Sequence, residues 1–179
     1  MVQEPPITLL KAHPDEAEAI NATASLIWPR AYRGIIPPSQ IRYMLARMYD
    51  PATLREEMRH GAIEYFWIVC GSSKIGFIAI GPVLRGSPCS LHKCYLLPES
   101  QGCGFGSAAM GLLVTLLESA GATSFELRVN RNNHRAISFY QKNGFETCGE
   151  DRREIGGGFV MDDYLMRRPI PVFPIPTVN

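Results

Sequence analysis

The sequence has no excess of charge of either sign. Lysine and arginine together number 18 and aspartate and glutamate 17, which gives a formal net charge of +1 at pH 7. Binding to nucleic acid or to an anionic membrane surface draws on a basic excess that this sequence does not have. The charge balance therefore favours small-molecule partners.

The sequence also lacks the marks of a secreted, membrane-crossing or metal-binding protein. Residues 1–6 carry an acid and two prolines, and no long apolar run follows them. We therefore expect neither a signal peptide nor a membrane span. The five cysteines are odd in number and include no close C-x-x-C pair. This pattern favours free thiols in a reducing cytoplasm over a disulfide framework or a zinc site, so we expect a cytoplasmic protein without a metal.

What the sequence does contain is typical of one globular domain. Hydrophobic residues make up 46% and charged residues 20% of the 179 positions. This composition excludes a mostly disordered chain. The length suits a single core built from one sheet and several helices.

The first half of the chain predicts a strand, three helices and three further strands. Apolar residues at helical spacing mark the helices, and short or alternating apolar runs mark the strands. Pro29 is expected to end the first helix, and Ser39 to cap the second. The predicted segments are a strand at Ile7–Lys11, helices at residues 14–28, 39–48 and 51–60, a hairpin at residues 65–70 and 74–80, and a strand at residues 91–97.

The second half alternates helices with strands. Apolar residues at positions 105, 108, 109, 112, 113, 116, 117 and 120 form one broad face of a predicted helix, Phe105–Ala120. A strand at residues 125–129, a helix at 133–143 and strands at 145–152 and 159–167 follow. These segments predict the α/β class, with a mixed, mostly antiparallel central sheet and helices on both faces. Residues 169–179 hold four prolines without periodicity, which predicts a proline-rich C-terminal tail.

A glycine-rich turn joins the strand at residues 91–97 to the strongest predicted helix. The first turn of a helix leaves several backbone N–H groups unpaired at its positive end, and glycines let an anion approach them closely. The segment therefore predicts a diphosphate site that needs neither a metal nor a lysine. Its residues are Gln101, Gly102, Cys103, Gly104, Phe105, Gly106 and Ser107.

Two common phosphate-binding motifs do not fit this turn. A P-loop needs a lysine before its Ser or Thr, whereas Gly106 precedes Ser107. A dinucleotide fingerprint needs a third glycine where Ser107 stands, and it follows the first strand of a parallel sheet. Taken alone, the turn is also compatible with a helix start that uses glycine only for a tight bend.

Two ordered motifs resemble the GCN5-related N-acetyltransferase (GNAT) superfamily. The first is Gln101-x-x-Gly104-x-Gly106 directly after a predicted strand, which is similar to the acetyl-CoA motif of that superfamily. The second lies at residues 129–145 and contains Asn133 and Tyr140 at family-like positions. The resemblance implies an N-acetyltransferase domain over residues 1–168, followed by the tail at residues 169–179.

The resemblance implies an enzyme that transfers an acetyl group from acetyl-CoA to an amine by direct attack. It implies that backbone groups of Leu96 and Leu97 and the side chain of Asn133 hold the pantetheine arm, and that the amides of residues 101–107 hold the pyrophosphate. Tyr140 would be the general acid that protonates the leaving thiolate, which suits a phenol with a pKa of about 10. Without the resemblance, the helical spacing of Tyr140 favours a packed core aromatic.

The acceptor is expected to be a small-molecule amine. Segments near residues 28–45 and 155–164 resemble the branch that contains bacterial polyamine (spermidine/spermine) N-acetyltransferases, which implies a polyamine.

Asp162 and Asp163 are neighbours on a predicted strand and must point to opposite faces, so at most one of them lines a given channel wall. The acidic residues that could attract a polyammonium substrate, or simply be exposed hairpin charges, are Glu150, Asp151, Asp162 and Asp163. The aromatic residues that could form an acceptor lid, or simply pack, are Trp28, Tyr32 and Tyr43.

The sequence specifies no base for the proton that leaves the amine. Arg128 stands where some relatives carry a catalytic glutamate. His92 has a suitable unperturbed pKa of about 6.5, although a partly exposed strand histidine is the simpler reading. Glu64 is expected to be solvated, which leaves a water relay to bulk solvent as the default.

Several alternatives stay open at this stage. The chain could be a non-catalytic acyl-CoA-binding regulatory module or, less consistently with the missing lysine, a nucleotide-phosphate-binding protein. An acetyltransferase could instead act on a protein N-terminus, an amino acid or an antibiotic amine. Related enzymes are often homodimers, so a homodimer is also expected.

Overall fold

The computed structural model describes residues 7–171 and contains one seven-stranded sheet flanked by helices. The sheet order is β1-β2-β3-β4-β5-β7-β6, and every neighbouring pair is antiparallel except β4 and β5. This architecture confirms the predicted α/β class with a mixed, mostly antiparallel sheet. The strands are β1 (Ile7–Lys11), β2 (Glu64–Cys70), β3 (Ser73–Gly81), β4 (Pro88–Leu96), β5 (Ser124–Asn130), β6 (Glu146–Gly156) and β7 (Phe159–Pro169).

Helices cover both faces of the sheet, as predicted. The helices are α1 (Ala17–Ala31), α2 (Pro38–Met48), α3 (Pro51–His60), α4 (Phe105–Ala120) and α5 (His134–Lys142). One buried cluster joins α4 to residues such as Ile78 and Phe125, with α5 packed against it. A second buried cluster joins α1, α2 and α3 to the opposite face, around Trp67 and Phe77. No helix within residues 7–171 is long and apolar enough to cross a membrane.

The two central strands, β4 and β5, diverge halfway along their length. The parallel ladder of β4 and β5 covers only four residue pairs and ends where Leu91 lies opposite Leu127. Both strands continue beyond that point, β4 to Leu96 and β5 to Asn130. The diverging ends leave main-chain groups of both strands available at a gap in the middle of the sheet.

Two predicted helix boundaries in the first half were wrong. Pro29 lies inside α1 rather than ending it. It is solvent-exposed and one turn from the helix end, so the carbonyl left without a partner can face water. The second helix begins at Pro38, with Pro37 rather than Ser39 at its N-cap. The fixed φ of proline suits the first helical position, which makes a side-chain cap unnecessary.

The buried face of α4 differs from the predicted one, although both ends of the helix are as predicted. Met110 and Val114 are buried, whereas Ala108 and Leu112 are exposed. The helix is therefore rotated about its axis relative to the broad apolar face read from the sequence.

The last strand extends beyond the predicted domain boundary at residue 168. β7 ends at Pro169, and Ile170 is buried in the cluster beneath α4. Residues 172–179 of the predicted tail lie outside the described residues.

Candidate active site

A cleft of about 1090 Å³ opens where β4 and β5 diverge. It runs from the glycine-rich turn, past α5, to α1 and α2 on the other face of the sheet. A cleft of this size can enclose most of a large small molecule. Its two ends are lined by residues of different chemistry.

The glycine-rich turn presents free amides at the start of α4. Gly102 and Gly104 have φ values of +86° and +83°, and Gly104 is the N-cap of the helix. The first intrahelical bond runs from the Ala108 amide to the Gly104 carbonyl at 3.0 Å. The amides of residues 105–107 precede it and make no bond within the helix. No side chain in the described part of the chain caps this helix, so its positive end is available to an anion.

The turn is held against the end of β4 by Gln101. Its side-chain Nε2 donates to the Leu96 carbonyl at 2.9 Å. Leu96 itself lines the cleft, as do Gly102, Gly104, Gly106 and Ser107. The structure thus brings most of the predicted cofactor-binding residues to one end of the cleft.

Three predicted residues do not line the cleft. The Leu97 amide donates to the Ile75 carbonyl at 2.8 Å, and its carbonyl accepts from the Ser100 amide at 2.9 Å. Its backbone groups are therefore already committed within the fold. The Phe105 side chain packs against the cluster beneath α4, and the Cys103 side chain is exposed. These two can contribute backbone amides to the turn but not side chains to the cleft.

Helix α5 closes the other side of this end. Asn133 is its N-cap, and the side-chain Oδ1 accepts from the Ala136 amide at 3.2 Å. This bond leaves the Nδ2 group of Asn133 to donate elsewhere. Sequence reasoning assigned no role to the further α5 residues that line the cleft, which are Arg135, Ser138, Phe139 and Lys142. Their i, i+3, i+4, i+7 spacing is the signal that could have found them.

Tyr140 packs against the core and also borders the cleft. Its ring packs edge-on against Phe139 and Phe145, with centroids 5.2 and 5.7 Å apart. Tyr140 also lines the cleft. Burial, reinforced by Cys94 and Tyr32, raises the pKa of the Tyr140 hydroxyl well above its usual value. The hydroxyl therefore stays protonated at neutral pH.

The far end of the cleft has an aromatic wall. Tyr32 of α1 and Tyr95 of β4 share a hydrogen bond of 3.0 Å between their hydroxyls. Trp28 stacks beside them, with ring centroids 4.5 Å from Tyr32 and 5.9 Å from Tyr95. All three line the cleft. Tyr43 does not line it; its hydroxyl donates to the Ile155 carbonyl at 2.8 Å and ties α2 to the tip of the β6–β7 hairpin.

The four acidic residues of the last two strands fall on two different faces. Asp162 pairs with Arg131 at 2.7 Å, and Glu150 pairs with the same arginine at 3.0 Å. Neither of these two acids lines the cleft. Asp163 does line it, is buried to 3% exposure, and lies directly opposite Asp151 in the ladder. The adjacent aspartates point to opposite faces, as expected of a strand.

The remaining candidates for a base are already engaged. Nε2 of His92 lies 2.9 Å from the Gly81 carbonyl, and burial lowers the pKa of its imidazole. Glu64 pairs with Lys11 at 2.7 Å and does not line the cleft. Arg128 pairs with Asp151 at 2.7 Å.

A buried lysine was missed by sequence reasoning. Lys93 is 5% exposed, lies 3.3 Å from Glu57, and also contacts the hydroxyl of Tyr65. Burial lowers the pKa of its ammonium group despite the neighbouring carboxylate. Nothing local in the sequence marks Lys93 as buried, because its partners come from α3 and β2.

Comparison with known proteins agrees with this geometry. The family model described as the Acetyltransferase (GNAT) family matches residues 27–145. An uncharacterised N-acetyltransferase of Mycobacterium tuberculosis is 36% identical over 157 residues, which cover 87% of this chain and 98% of that protein. The spermidine N(1)-acetyltransferase of Thermoplasma acidophilum is 25% identical over 160 residues, covering 87% and 96% respectively.

Solved structures share the fold. The PaiA N-acetyltransferase of Thermoplasma acidophilum, crystallised with coenzyme A, has a TM-score of 0.75 at 23% identity and covers 91% of this chain and 98% of its own. The spermidine N-acetyltransferase of Vibrio cholerae, in complex with CoA and spermine, has a TM-score of 0.67 at 18% identity, covering 92% and 96%. The family match contains the glycine-rich turn, Asn133 and Tyr140, and it confirms the predicted class of N-acetyltransferase. This chain therefore belongs to the acetyltransferase (GNAT) family.

Proposed function

We propose that this enzyme transfers the acetyl group of acetyl-CoA to a primary amine, with a polyamine as the acceptor. The observation that carries the proposal is the run of unpaired amides at the start of α4. They lie at one end of a cleft that passes between the parted strands to Tyr140.

The residues at this end fit coenzyme A. The pyrophosphate would accept hydrogen bonds from the amides of residues 102–107, in the positive field of the α4 N-terminus. Arg135 and Lys142 on α5 add positive charge beside the turn. The pantetheine arm would run along the free edge of β4 at Leu96, with Nδ2 of Asn133 as a donor. Bound acetyl-CoA would supply the activated acetyl group, and the chain would align it with the acceptor.

Tyr140 is the proposed proton donor to the leaving sulfur. Its hydroxyl stays protonated because burial raises its pKa, and it lines the cleft together with Cys94 of β4 and Tyr32 of α1. Loss of the hydroxyl would leave the departing thiolate without a donor, while the ring packing against Phe139 and Phe145 would be kept.

The far end of the cleft fits a cationic amine. An aromatic wall of Trp28, Tyr32 and Tyr95 can hold alkylammonium groups through their ring faces. The carboxylate of Asp163 faces the same space. The similarity to proteins named as spermidine acetyltransferases supports a polyamine over other amines.

The test is a turnover assay with acetyl-CoA on a panel of polyamines, amino acids, aminoglycosides and peptide N-termini. We expect spermidine or spermine to give the highest kcat/KM. Tyr140→Phe should lower kcat by about 100-fold or more and change the Kd of acetyl-CoA less than twofold. The matched control is Tyr164→Phe, because Tyr164 does not line the cleft and its ring packs against Arg131. Unchanged turnover in Tyr140→Phe would remove this residue from the acid role, and acetyl-CoA binding without turnover of any amine would indicate a non-catalytic binding module.

A further inference from the structure

Asp163 lies on an inner strand of the sheet, with a neighbouring strand on each side. β7 lies between β5 and β6, and Asp163 is opposite Asn130 on one side and Asp151 on the other. Directly opposed residues of antiparallel strands point to the same face. Asp163 therefore faces the side of the sheet that carries the aromatic wall of Trp28, Tyr32 and Tyr95, where it lines the cleft.

The carboxylate of Asp163 has an oxygen without a protein partner. Its side chain is 3% exposed, and its Oδ2 accepts no hydrogen bond from any residue within 7–171. Other acids of these strands are paired with arginine: Asp151 with Arg128 at 2.7 Å and Asp162 with Arg131 at 2.7 Å. A buried carboxylate oxygen without a hydrogen-bond donor is unfavourable for folding, so this oxygen is available to a donor that enters the cleft.

The charges around Asp163 come from every element that packs on it. Arg128 of β5 and Arg153 of β6 favour its ionised form, whereas Asp151 of β6 and Asp162 of β7 oppose it. Tyr32 of α1 lines the same cleft and interacts electrostatically with Asp163. Burial is the largest influence and raises the pKa of Asp163 to about 6. The group is therefore ionised at pH 7 to 8 and is a better proton acceptor than an ordinary aspartate.

Tyr32 connects Asp163 to the proposed acid. Its hydroxyl interacts electrostatically with Asp163 and also with Tyr140. All three residues line the cleft. A proton acceptor and a proton donor thus line the same cleft, and each interacts electrostatically with Tyr32.

We infer that Asp163 is the general base that binds the acceptor's ammonium group and takes its proton, which rests on the proposed acetyl transfer. An amine reaches the cleft as an ammonium ion, which has no lone pair for attack. Asp163 Oδ2 takes one proton from the nitrogen, whose freed electron pair forms the bond to the acetyl carbon. As the carbon–sulfur bond breaks, its electron pair goes to sulfur, and Tyr140 gives sulfur a proton. A second proton from the nitrogen returns to the Tyr140 oxygen, and Asp163 releases its proton to solvent. The ammonium ion and the thioester are thereby converted into an amide, a thiol and a free proton, so the step balances.

The experiment compares wild type, Asp163→Asn, Asp163→Glu and Asp162→Asn with spermidine and with butylamine as acceptors. Asp162 is the matched control because it is the neighbouring aspartate, pointing away from the cleft. In wild type and Asp162→Asn, kcat should fall on the acid side of about pH 6. In Asp163→Asn, kcat should be at least about 100-fold lower for both acceptors, without the acid-side fall, and Asp163→Glu should recover part of the rate.

Folding stability separates a catalytic role from a structural one. A raised carboxyl pKa means that the folded state loses stability as the pH rises through that pKa, since the ionised form is the disfavoured one. Asp163→Asn should therefore melt at the same temperature as wild type or higher at pH 8, with a smaller difference at pH 5. A lower melting temperature at pH 8 would assign Asp163 a structural role and overturn the inference.

Kinetic outcomes that overturn the inference are distinct from those that overturn the proposed function. Wild-type turnover in Asp163→Asn, or a persisting acid-side fall, removes Asp163 as the base. A raised KM for spermidine alone, with kcat unchanged, makes it only an anchor for a second ammonium group. A wild type that binds acetyl-CoA yet acetylates neither amine, nor any other amine of the panel, contradicts the proposed function itself.

Discussion

At the scale of single residues, the glycine-rich turn needs glycine for its backbone conformation. A Cβ built on Gly102 or Gly104 would meet no atom within 4 Å, yet both residues have φ values that side-chain-bearing residues rarely adopt. Glycine in this turn was expected to let an anion approach the amides closely. The structure gives another reason why a substitution at Gly104 would weaken anion binding. A side chain would push the backbone out of the left-handed region and turn the amides of residues 105–107 away.

Gly104→Val should therefore raise the Kd of acetyl-CoA by tenfold or more, as measured by calorimetry. The matched control is Gly86→Val, because Gly86 has a φ of +73°, equally open surroundings and a position on the β3–β4 connection outside the cleft. Both variants should lose about 1–2 kcal/mol of stability from the strained φ. Equal affinity in the two variants would place the phosphate site elsewhere.

Sequence reasoning at this scale predicted an anion site but specified no base. The turn could be found because its residues are contiguous and glycine is a local marker of backbone conformation. The sequence also placed Asp162 and Asp163 on opposite faces. Which of the two is buried depends on β5 and β6, which pair with β7 across long stretches of chain, so the selection of Asp163 required the structure.

At the scale of elements, the packing of α4 against α5 positions the proposed acid. A Cβ on Gly106 would lie 3.1 Å from Cε2 of Phe139, closer than side chains normally approach. Gly106 thus allows the two helices to come together, and Phe139 precedes Tyr140 in the chain. A displacement of α5 by a few tenths of an ångström would move the Tyr140 hydroxyl relative to the cleft.

Gly106→Ala should lower kcat several-fold or more, because small errors in alignment are costly to catalysis. The control on the same helix is Gly111→Ala, where the added Cβ meets nothing within 4 Å. Replacing an exposed helical glycine in this way should stabilise the protein by about 0.5–1 kcal/mol and leave kcat unchanged. Paired kcat measurements and thermal unfolding check both expectations, and an unaltered kcat in Gly106→Ala would contradict the positioning role of this contact.

The sequence predicted helix bounds well where a glycine follows the last helical residue. The bounds of α3 and α4 were as predicted, with Gly61 and Gly121 in the left-handed conformation just after the last helical residue. The predicted helix end at Pro29 was wrong because the effect of a proline depends on its solvent exposure and on its distance from the helix end. The rotation of α4 could not be predicted either, because its apolar residues extend around more of the helix than the sheet covers.

At the scale of the whole molecule, the order and direction of the strands in the sheet create the candidate site. β4 and β5 are the one parallel pair among residues 7–171; the chain crosses over between them through α4, and their short ladder opens the sheet. The glycine-rich turn follows β4 and Asn133 follows β5, so the divergence brings two separate motifs to the same opening. The motifs could be read in order from the sequence, but the gap between the strands, and the position of β7 beside β5, are non-local features.

The most direct test of the account is a crystal structure of the chain with acetyl-CoA. We predict pyrophosphate oxygens within about 3.2 Å of the amide nitrogens of residues 105–107. The pantetheine should lie between β4 and β5, with the thioester sulfur beside the Tyr140 hydroxyl. Pyrophosphate bound away from this turn, or a thioester distant from Tyr140, would contradict the account.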